Sequence, residues 1–232
     1  MNKKILWCWL SLLLVAALVL ASCGPKEEGV EKVEKKEGPQ YGGTITHYLW
    51  GGEAANADQT TSLWPSQMYD SPVIEFLMVG DFAKYGPRGT GEFGFLLEGR
   101  TPENFLKGAV AESWEVSPDR IVFTIRKGVY WAAEGKEHVM ARRELTADDV
   151  AFSLNRSLDS VGQGNGFYRT ENGGFIDSIY AEGNTVVIET SSYNADWLWV
   201  LGLGWANAIF APEVVDAGAA DWDNLVGTDH LW

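Results

Sequence analysis

The chain has 232 residues and carries 32 acidic side chains against 18 basic ones, a formal net charge of −14. Because it also lacks a basic cluster, nucleic acid and anionic lipid surfaces are poor partners for it. The roughly 190 residues that follow position 40 suffice for one domain of ordinary size.

The first 22 residues have the pattern of a secretory signal peptide. Lys3 and Lys4 supply a short positive region, and an uncharged apolar run of 17 residues follows from Ile5 to Ala21. This run falls short of the ~20 residues that a membrane-spanning helix needs, and it ends in small residues as cleaved signals do. Residues 20–23 resemble the lipobox of bacterial lipoproteins. We therefore expect cleavage after residue 22 and a lipid anchor on Cys23.

An uncleaved N-terminal anchor is the alternative, and either arrangement places the remaining chain outside the cytoplasm, in the periplasm or at the cell surface. The only other cysteine, Cys8, lies within the signal, so the mature domain has no thiol pair for a disulfide. Residues 23–40 are rich in Lys, Glu, Gly and Pro. Such a segment cannot bury enough surface to offset its ordering entropy, and we interpret it as a disordered tether.

The folded part begins at residue 41 and opens with a predicted strand at 44–50, where side chains alternate between two faces. A polar loop follows as far as residue 61. The apolar run Val73–Val79 fits either a buried helical turn or a strand. Residues 80–104 are rich in glycine and charge, which predicts turns and a loose hairpin.

Residues 111–131 carry the clearest β pattern. Three short extended runs, Ala111–Val116, Ile121–Arg126 and Val129–Trp131, are separated by turns at Pro118 and Gly128. The spacing predicts a meander of antiparallel strands.

A helix is predicted to begin after Thr146. Thr146 is suited to cap it, with Asp149 three residues later closing a capping box. Asp148 and Asp149 lie in the first turn, where each carboxylate contributes ~0.3–1 kcal/mol at the positive end of the helix dipole. A catalytic carboxylate pair is the alternative, but capping accounts for both residues. One face of the helix is apolar and consists of Val150, Leu154 and Leu158.

Residues 162–174 are rich in glycine, but their glycine repeat follows a helix rather than a strand, so it does not indicate a dinucleotide site. Residues 175–190 predict a hairpin. The apolar, tryptophan-rich segment 196–203 predicts a buried helix, and Pro212 lies near the start of another short helix.

The sequence offers little for catalysis or metal binding. His47, His138 and His230 lack the spacing of a metal site, and the chain contains no EF-hand loop, phosphate-binding loop or serine-hydrolase elbow. We therefore expect no metal, no cofactor and no enzymatic activity. A glycosidase with two carboxylates stays open as an alternative, although no such pair can be identified.

The segment from Ala111 to Arg156 resembles the family 5 extracellular solute-binding proteins, the oligopeptide-, dipeptide- and nickel-binding group of ABC importers. The stretches that carry the resemblance are AESWEVSPD from Ala111, FTIRKGV from Phe123 and LTADDVAFSL from Leu145. Weaker similarity at 42–46, 176–190 and 211–215 extends it over nearly all of residues 41–232. The strand from Ile121 is shorter than is usual in the family, and the loop that follows lacks its common Asp-Gly turn.

The resemblance implies an α/β fold of the periplasmic-binding-protein type (class II), in which two lobes joined by a hinge close on the solute. It places residues 41–66 and 190–232 in the first lobe, and about 67–189 in an extra subdomain peculiar to the family. Family members are much longer than this chain. We therefore expect an N-terminal fragment that contains the first lobe and the subdomain but lacks the second lobe.

The implied function is capture of peptides or similar small solutes by a monomer outside the cytoplasm and their delivery to an ABC permease. The loop after the first strand and the glycine-rich segment face the cleft in such proteins, which gives Trp50, Glu53 and Tyr168 as candidate ligand-binding residues. Placement in the core or on the surface is the alternative for each. A lipid-anchored extracytoplasmic hydrolase and a sensory or structural lipoprotein without a transported ligand remain the rival functions.

Overall fold

The computed structural model describes residues 42–44, 46, 57, 58, 60, 73–95, 101–133, 139–160, 165–203, 207–218 and 225–229. The signal peptide and tether predicted for residues 1–40 lie outside these residues, as does most of the strand predicted at 44–50. The chain divides into two compact units, residues 1–47 and residues 48–232. Every helix and strand described below belongs to the second unit.

The described elements follow one another as short strands and helices. In chain order they are β1 (Met78–Gly80), α1 (Phe82–Tyr85), β2 (Leu106–Gly108), β3 (Ala111–Val116), β4 (Arg120–Ile125), α2 (Ala147–Asp159), β5 (Ile176–Glu182), β6 (Thr185–Thr190) and α3 (Pro212–Asp216). Tighter 3₁₀ turns lie at Glu103–Phe105, Asn165–Tyr168 and Thr170–Asn172, and a π-helical turn covers Leu198–Leu203. No helix among the described residues has the length and apolar character needed to span a membrane.

The main sheet has four antiparallel strands in the order β3-β4-β6-β5. The hairpins β3–β4 and β5–β6 confirm two sequence predictions. The predicted meander is wrong about its third strand, because residues 129–131 do not lie beside β4. Instead, Tyr130 bridges Glu144 and Trp131 bridges Thr228. Strand β6 occupies that place, with Val187 opposite Val122. Three consecutive side chains of β6 (Val186, Val187 and Ile188) are fully buried, which suits a central strand.

Helix α2 covers one face of this sheet and confirms the predicted capping box. Thr146 accepts from the backbone N–H of Asp149, and the Asp149 carboxylate accepts from the backbone N–H of Thr146. The predicted apolar face is buried among the apolar side chains of the sheet, and burial of each such aliphatic side chain contributes about 1.5–3 kcal/mol. The helix side chains concerned are Val150, Leu154 and Leu158.

The remaining segments agree in part with the predictions. The run at 73–79 becomes a strand only from Met78, and β1 pairs with β2 across the glycine-rich stretch predicted as a loose hairpin. The predicted helix at 196–203 is the π-helical turn, in which Val200 and Leu201 are buried. Helix α3 begins at Pro212 as predicted.

Residues 225–229, near the end of the chain, pack against Val73, Glu75 and Ala132. The N–H of Ala132 donates to the carbonyl of Gly227 at 2.8 Å, and the Thr228 hydroxyl donates to the buried Glu75 carboxylate at 2.7 Å. A Cβ on Gly227 would overlap the carbonyl oxygen of Val73. Glycine is therefore needed here for the close approach of two backbones.

Candidate functional site

The glycine-rich segment after α2 holds the one candidate ligand-binding residue that the structure describes. Tyr168 is partly buried and packs against the core, with its ring centroid 6.2 Å from that of the buried Phe175. On its other side, its ring centroid lies 4.0 Å from that of Phe167, whose side chain is 56% exposed. Phe167 is therefore more exposed to solvent than Tyr168. The Tyr168 ring packs against Phe167 and also against the core.

Backbone contacts fix this aromatic pair in place. The N–H of Phe175 donates to the carbonyl of Tyr168 at 2.9 Å, and the N–H of Gly174 donates to the carbonyl of Arg169 at 2.9 Å. A Cβ on Gly174 would overlap the carbonyl of Tyr168, so the turn requires glycine at that position. The Arg169 side chain connects the turn to α2 by donating to Asp159 at 2.8 Å and to Asn155 at 2.9 Å.

A buried ion pair fixes a second part of the chain to α2. Asp58 is 5% exposed and accepts from both terminal nitrogens of the Arg156 guanidinium, at 3.0 Å from Nη1 and at a shorter distance from Nη2. Asp58 also accepts from the N–H and the hydroxyl of Thr60, at 3.0 and 2.8 Å. The Ser160 hydroxyl donates to the carbonyl of Thr60 at 2.6 Å.

These contacts determine the charge state of Asp58. Burial alone would raise the pKa of its carboxyl group, but the hydrogen bonds from Arg156 and Thr60 outweigh burial and hold that pKa below its ordinary value. Asp58 is therefore ionised at neutral pH and paired with Arg156. Both described residues beside it, Ala57 and Thr60, are also buried, so the stretch is anchored on the last turns of α2.

The other end of α2 is held by Arg143. Its guanidinium donates to both carboxylate oxygens of Asp149, at 2.7 and 2.8 Å, and to both of Glu213 on α3, each at 2.7 Å. The carboxylates of Glu213 and Asp149 raise the pKa of Arg143, so its charge is permanent. Asp149 also accepts from the Trp131 indole at 3.4 Å. The Asp149 carboxylate is thus engaged in structural contacts, as expected for a helix-capping residue.

The other candidates named from the sequence lie outside the described residues. These are Cys23, Trp50, Glu53 and the three histidines. Across the described ranges, no group of three or more His, Cys, Asp or Glu side chains is arranged to hold a metal ion.

Reasoning from the sequence singled out the glycine-rich segment that contains Phe167 and Tyr168 but selected only Tyr168 as a ligand contact, although Phe167 has the more exposed ring. A second feature, an ion pair, was missed altogether. The pairing of Asp58 with Arg156 spans 98 residues and leaves no local pattern.

Comparison with known proteins identifies the family. The model of the bacterial extracellular solute-binding proteins, family 5 (middle part), matches residues 106–229, which is just over half of the chain. The di/tripeptide-binding protein 2 of Pseudomonas aeruginosa is 45% identical over 53 residues, which make up 22% of this chain and 10% of that protein. The heme-binding protein A of Haemophilus influenzae is 38% identical over 66 residues, 28% of this chain and 12% of that protein.

The fold agrees with this match. The periplasmic binding protein DppA from Helicobacter pylori, solved in complex with the peptide STSA, superimposes with a TM-score of 0.53 at 21% sequence identity. The superposition covers 78% of this chain and 34% of that structure, so the chain spans about a third of its length. The α/β fold is therefore that of the periplasmic binding proteins, and the relatives matched are binding proteins rather than enzymes. The chain belongs to the bacterial extracellular solute-binding proteins of family 5.

Proposed function

We propose that this protein is the substrate-binding lipoprotein of an ABC importer, which captures peptides or similar small solutes outside the cytoplasm and delivers them to a membrane permease. The match of the family 5 model across residues 106–229 is the observation that carries the proposal. Capture needs no covalent chemistry, since closure on the solute follows from tighter binding to the closed state.

Peptides are the favoured solute class. One relative is a di/tripeptide-binding protein by name, and the H. pylori protein was solved with a bound peptide. A peptide would be held through hydrogen bonds to its backbone, with roomy pockets for its side chains. Trp50, Glu53 and Tyr168 remain our candidates for contacts with it, and the exposed Phe167 ring beside Tyr168 adds an apolar surface to the last of these.

The family also implies a domain organisation, which we propose for this chain. Residues 41–66 and 190–232 would contribute to the first lobe, and about 67–189 to the family-specific subdomain. The described contacts support a close association of these parts, because α2 is bonded both to Asp58 and, through Arg143, to Glu213. Residues 23–40 would separate this body from the bilayer.

Lipid anchoring at Cys23 has a direct test. The cells are fractionated and the protein located by immunoblotting, with metabolic labelling by a fatty acid. We expect the natural protein to be labelled and to sediment with membranes, because several acyl chains on one cysteine hold firmly. The Cys23→Ser variant should lose the label. Equal labelling of both proteins would contradict anchoring at this residue.

Solute binding is tested on purified product of the whole reading frame. Nine of the eleven tryptophans follow residue 22, so intrinsic fluorescence is a sensitive readout. Pools of di-, tri- and longer peptides are titrated, with heme as a separate arm, and hits are repeated by calorimetry. We expect saturable binding by a monomer and recovery of the unchanged peptide. Cleaved peptide would establish the hydrolase alternative, and no response to any pool would favour a sensory or structural lipoprotein.

A further inference from the structure

The turn that carries Phe167 and Tyr168 is joined to helix α2 by the side chain of Arg169. The Nε and Nη2 atoms of its guanidinium donate to Oδ1 of Asp159 at 3.2 and 2.8 Å, and Nη2 also donates to Oδ1 of Asn155 at 2.9 Å. The Arg169 side chain is 15% exposed, whereas that of Asp159 is 66% exposed. The guanidinium therefore lies against α2, and its two acceptors are four residues apart on one face of the helix.

Asn155 is itself held in place, and this orients its oxygen toward Arg169. Its Nδ2 atom donates to the carbonyl of Ile179 on β5 at 3.0 Å and to the carbonyl of Ala151 at 2.9 Å. An amide whose nitrogen is used in this way presents its oxygen to a third group. The Arg169 side chain is thus bonded to a group fixed by both α2 and the main sheet, in addition to the exposed Asp159.

The backbone of Arg169 is the point from which the rest of the turn is bonded. Its N–H donates to the carbonyl of Gly166 at 3.1 Å, and its carbonyl accepts from the N–H groups of Asn172 and Gly174, each at 2.9 Å. Residue 169 also forms a parallel bridge with Ile176 at the start of β5. A shift of residue 169 would therefore move the two aromatic rings that directly precede it.

We propose that Arg169 is a positioning residue for solute binding. By holding the turn on α2, it keeps the exposed Phe167 ring and the Tyr168 ring packed against it in one arrangement, so that the solute meets a surface that is already ordered. Such a surface loses less conformational entropy on binding, which strengthens the affinity. Arg169 acts through its two neighbours and does not itself contact the solute. This inference rests on the proposed function, because it supposes that the aromatic pair contacts the solute.

The experiment compares five proteins made from the whole reading frame: the natural protein, Arg169→Gln, Arg169→Lys, Asp159→Ala and Arg120→Gln. Arg120→Gln is the matched control, because Arg120 is likewise paired with an exposed carboxylate, that of Glu182 at the opposite end of β5, at 3.4 Å. Three quantities are measured: hydrogen–deuterium exchange of the amides at 169–175, the midpoint of urea unfolding, and the apparent Kd for one fixed pool of tripeptides. The pool is titrated once with free carboxyl ends and once with amidated ends.

We expect Arg169→Gln to speed exchange at 169–175 and to raise the apparent Kd by about fivefold for both forms of the pool. The unfolding midpoint should stay nearly the same, because an ion pair with an exposed carboxylate contributes little to global stability. Asp159→Ala should cause smaller changes in the same direction, since the contact with Asn155 remains. Arg169→Lys keeps the charge but loses the forked geometry, so it should fall between the natural protein and Arg169→Gln. Arg120→Gln should alter neither exchange nor Kd.

Several results would overturn the inference. Unchanged exchange at 169–175 in Arg169→Gln would show that the turn does not depend on this side chain, and faster exchange with an unchanged Kd would separate the turn from binding. A loss of affinity confined to the pool with free carboxyl ends would make Arg169 a direct contact for the solute carboxylate. An equal rise of the Kd in Arg120→Gln would identify a general effect of losing an arginine.

Two further points keep the outcome decisive. If Arg169→Gln does not fold, Asp159→Ala replaces it in each comparison, because it removes one of the two acceptors at an exposed position. A natural protein that binds neither form of the pool defeats the proposed function and the inference with it. A natural protein that binds no more tightly than Arg169→Gln defeats the inference alone.

Discussion

Asp149 holds Arg143 with both of its carboxylate oxygens, at 2.7 and 2.8 Å, and with the same carboxylate accepts from the backbone N–H of Thr146 at 2.9 Å. One side chain therefore closes the capping box of α2 and also fixes the guanidinium that reaches Glu213 on α3. The start of the helix and its attachment to the rest of the domain depend on the same residue.

This double role predicts a large effect for Asp149→Ala. The variant loses the capping contact and leaves a partly buried arginine with one carboxylate partner, so the free energy of unfolding should fall by about 2–4 kcal/mol. Urea unfolding followed by circular dichroism measures it. Asp148→Ala is the control, because Asp148 is exposed and contributes only ~0.3–1 kcal/mol through the helix dipole. Equal losses in the two variants would contradict the assignment.

The lowered pKa of the Asp58 carboxyl group should make the free energy of unfolding depend on pH. This pKa is below the ordinary value of about 3.9 in the folded protein, so the group's contribution to stability is complete above that ordinary value and is lost as the pH falls through the folded value. The difference in unfolding free energy between the natural protein and Asp58→Asn should be constant from pH 7 to about pH 5 and should shrink below about pH 4. Urea unfolding at a series of pH values measures this difference.

Comparison with Asp58→Asn is necessary because other carboxyl groups titrate in the same range. Glu213, for example, also has a lowered pKa, through its hydrogen bonds with Arg143. These groups are shared by both proteins, so their contributions cancel in the difference. A difference that grows on acidification would mean that Asp58 is not stabilised in its ionised form.

The parts of the fold that could be predicted from the sequence are those encoded by neighbouring residues. Helix α2 can be predicted because its cap, its acidic first turn and its apolar face all lie within thirteen residues of one another. The two hairpins β3–β4 and β5–β6 can be predicted because turn residues separate short extended runs. In each case the competing structures would break a local preference.

The features that could not be predicted depend on residues far apart in the chain. Nothing near Val129–Trp131 indicates that Trp131 pairs with Thr228 or that β6 lies beside β4. The same limit applies to the site, where Asp58 meets Arg156 across 98 residues. Such pairings are selected by the packing of the whole domain and leave no periodic pattern.

Gly227 provides a test of the packing at residues 225–229. A Cβ at this position would overlap the carbonyl oxygen of Val73, so two backbones must separate to accept alanine. We expect Gly227→Ala to lower the free energy of unfolding by more than ~2 kcal/mol, as other forms of overpacking do. Thermal or urea unfolding gives the value.

Gly128→Ala is the comparison for that variant. Gly128 has a φ of +76° but open space in the direction of a Cβ, so alanine there meets only the backbone cost of about 1–2 kcal/mol. The larger loss should belong to Gly227→Ala. The reverse order would show that residues 225–229 are not closely packed against Val73.

The aromatic pair at the glycine-rich turn predicts a separation of stability from binding. Tyr168→Ala removes a ring packed against the core and should lower the free energy of unfolding by about 2–3 kcal/mol. Phe167→Ala removes a ring that is 56% exposed and should change it by no more than ~0.5 kcal/mol. Under the proposed function, however, Phe167→Ala should weaken peptide binding, because the exposed ring offers apolar contact on a rigid support.

Tyr193→Ala is the matched control, since Tyr193 is another aromatic residue of similar exposure, at 59%. It should alter neither stability nor binding. Calorimetric titration of all three variants with the same peptide separates the possibilities. If Phe167→Ala and Tyr193→Ala bind the peptide equally well, the ring at position 167 is an ordinary surface residue. Tyr168 would then be the remaining candidate on this turn, and a Kd for Tyr168→Ala equal to that of the natural protein would place the ligand site on other elements of the domain.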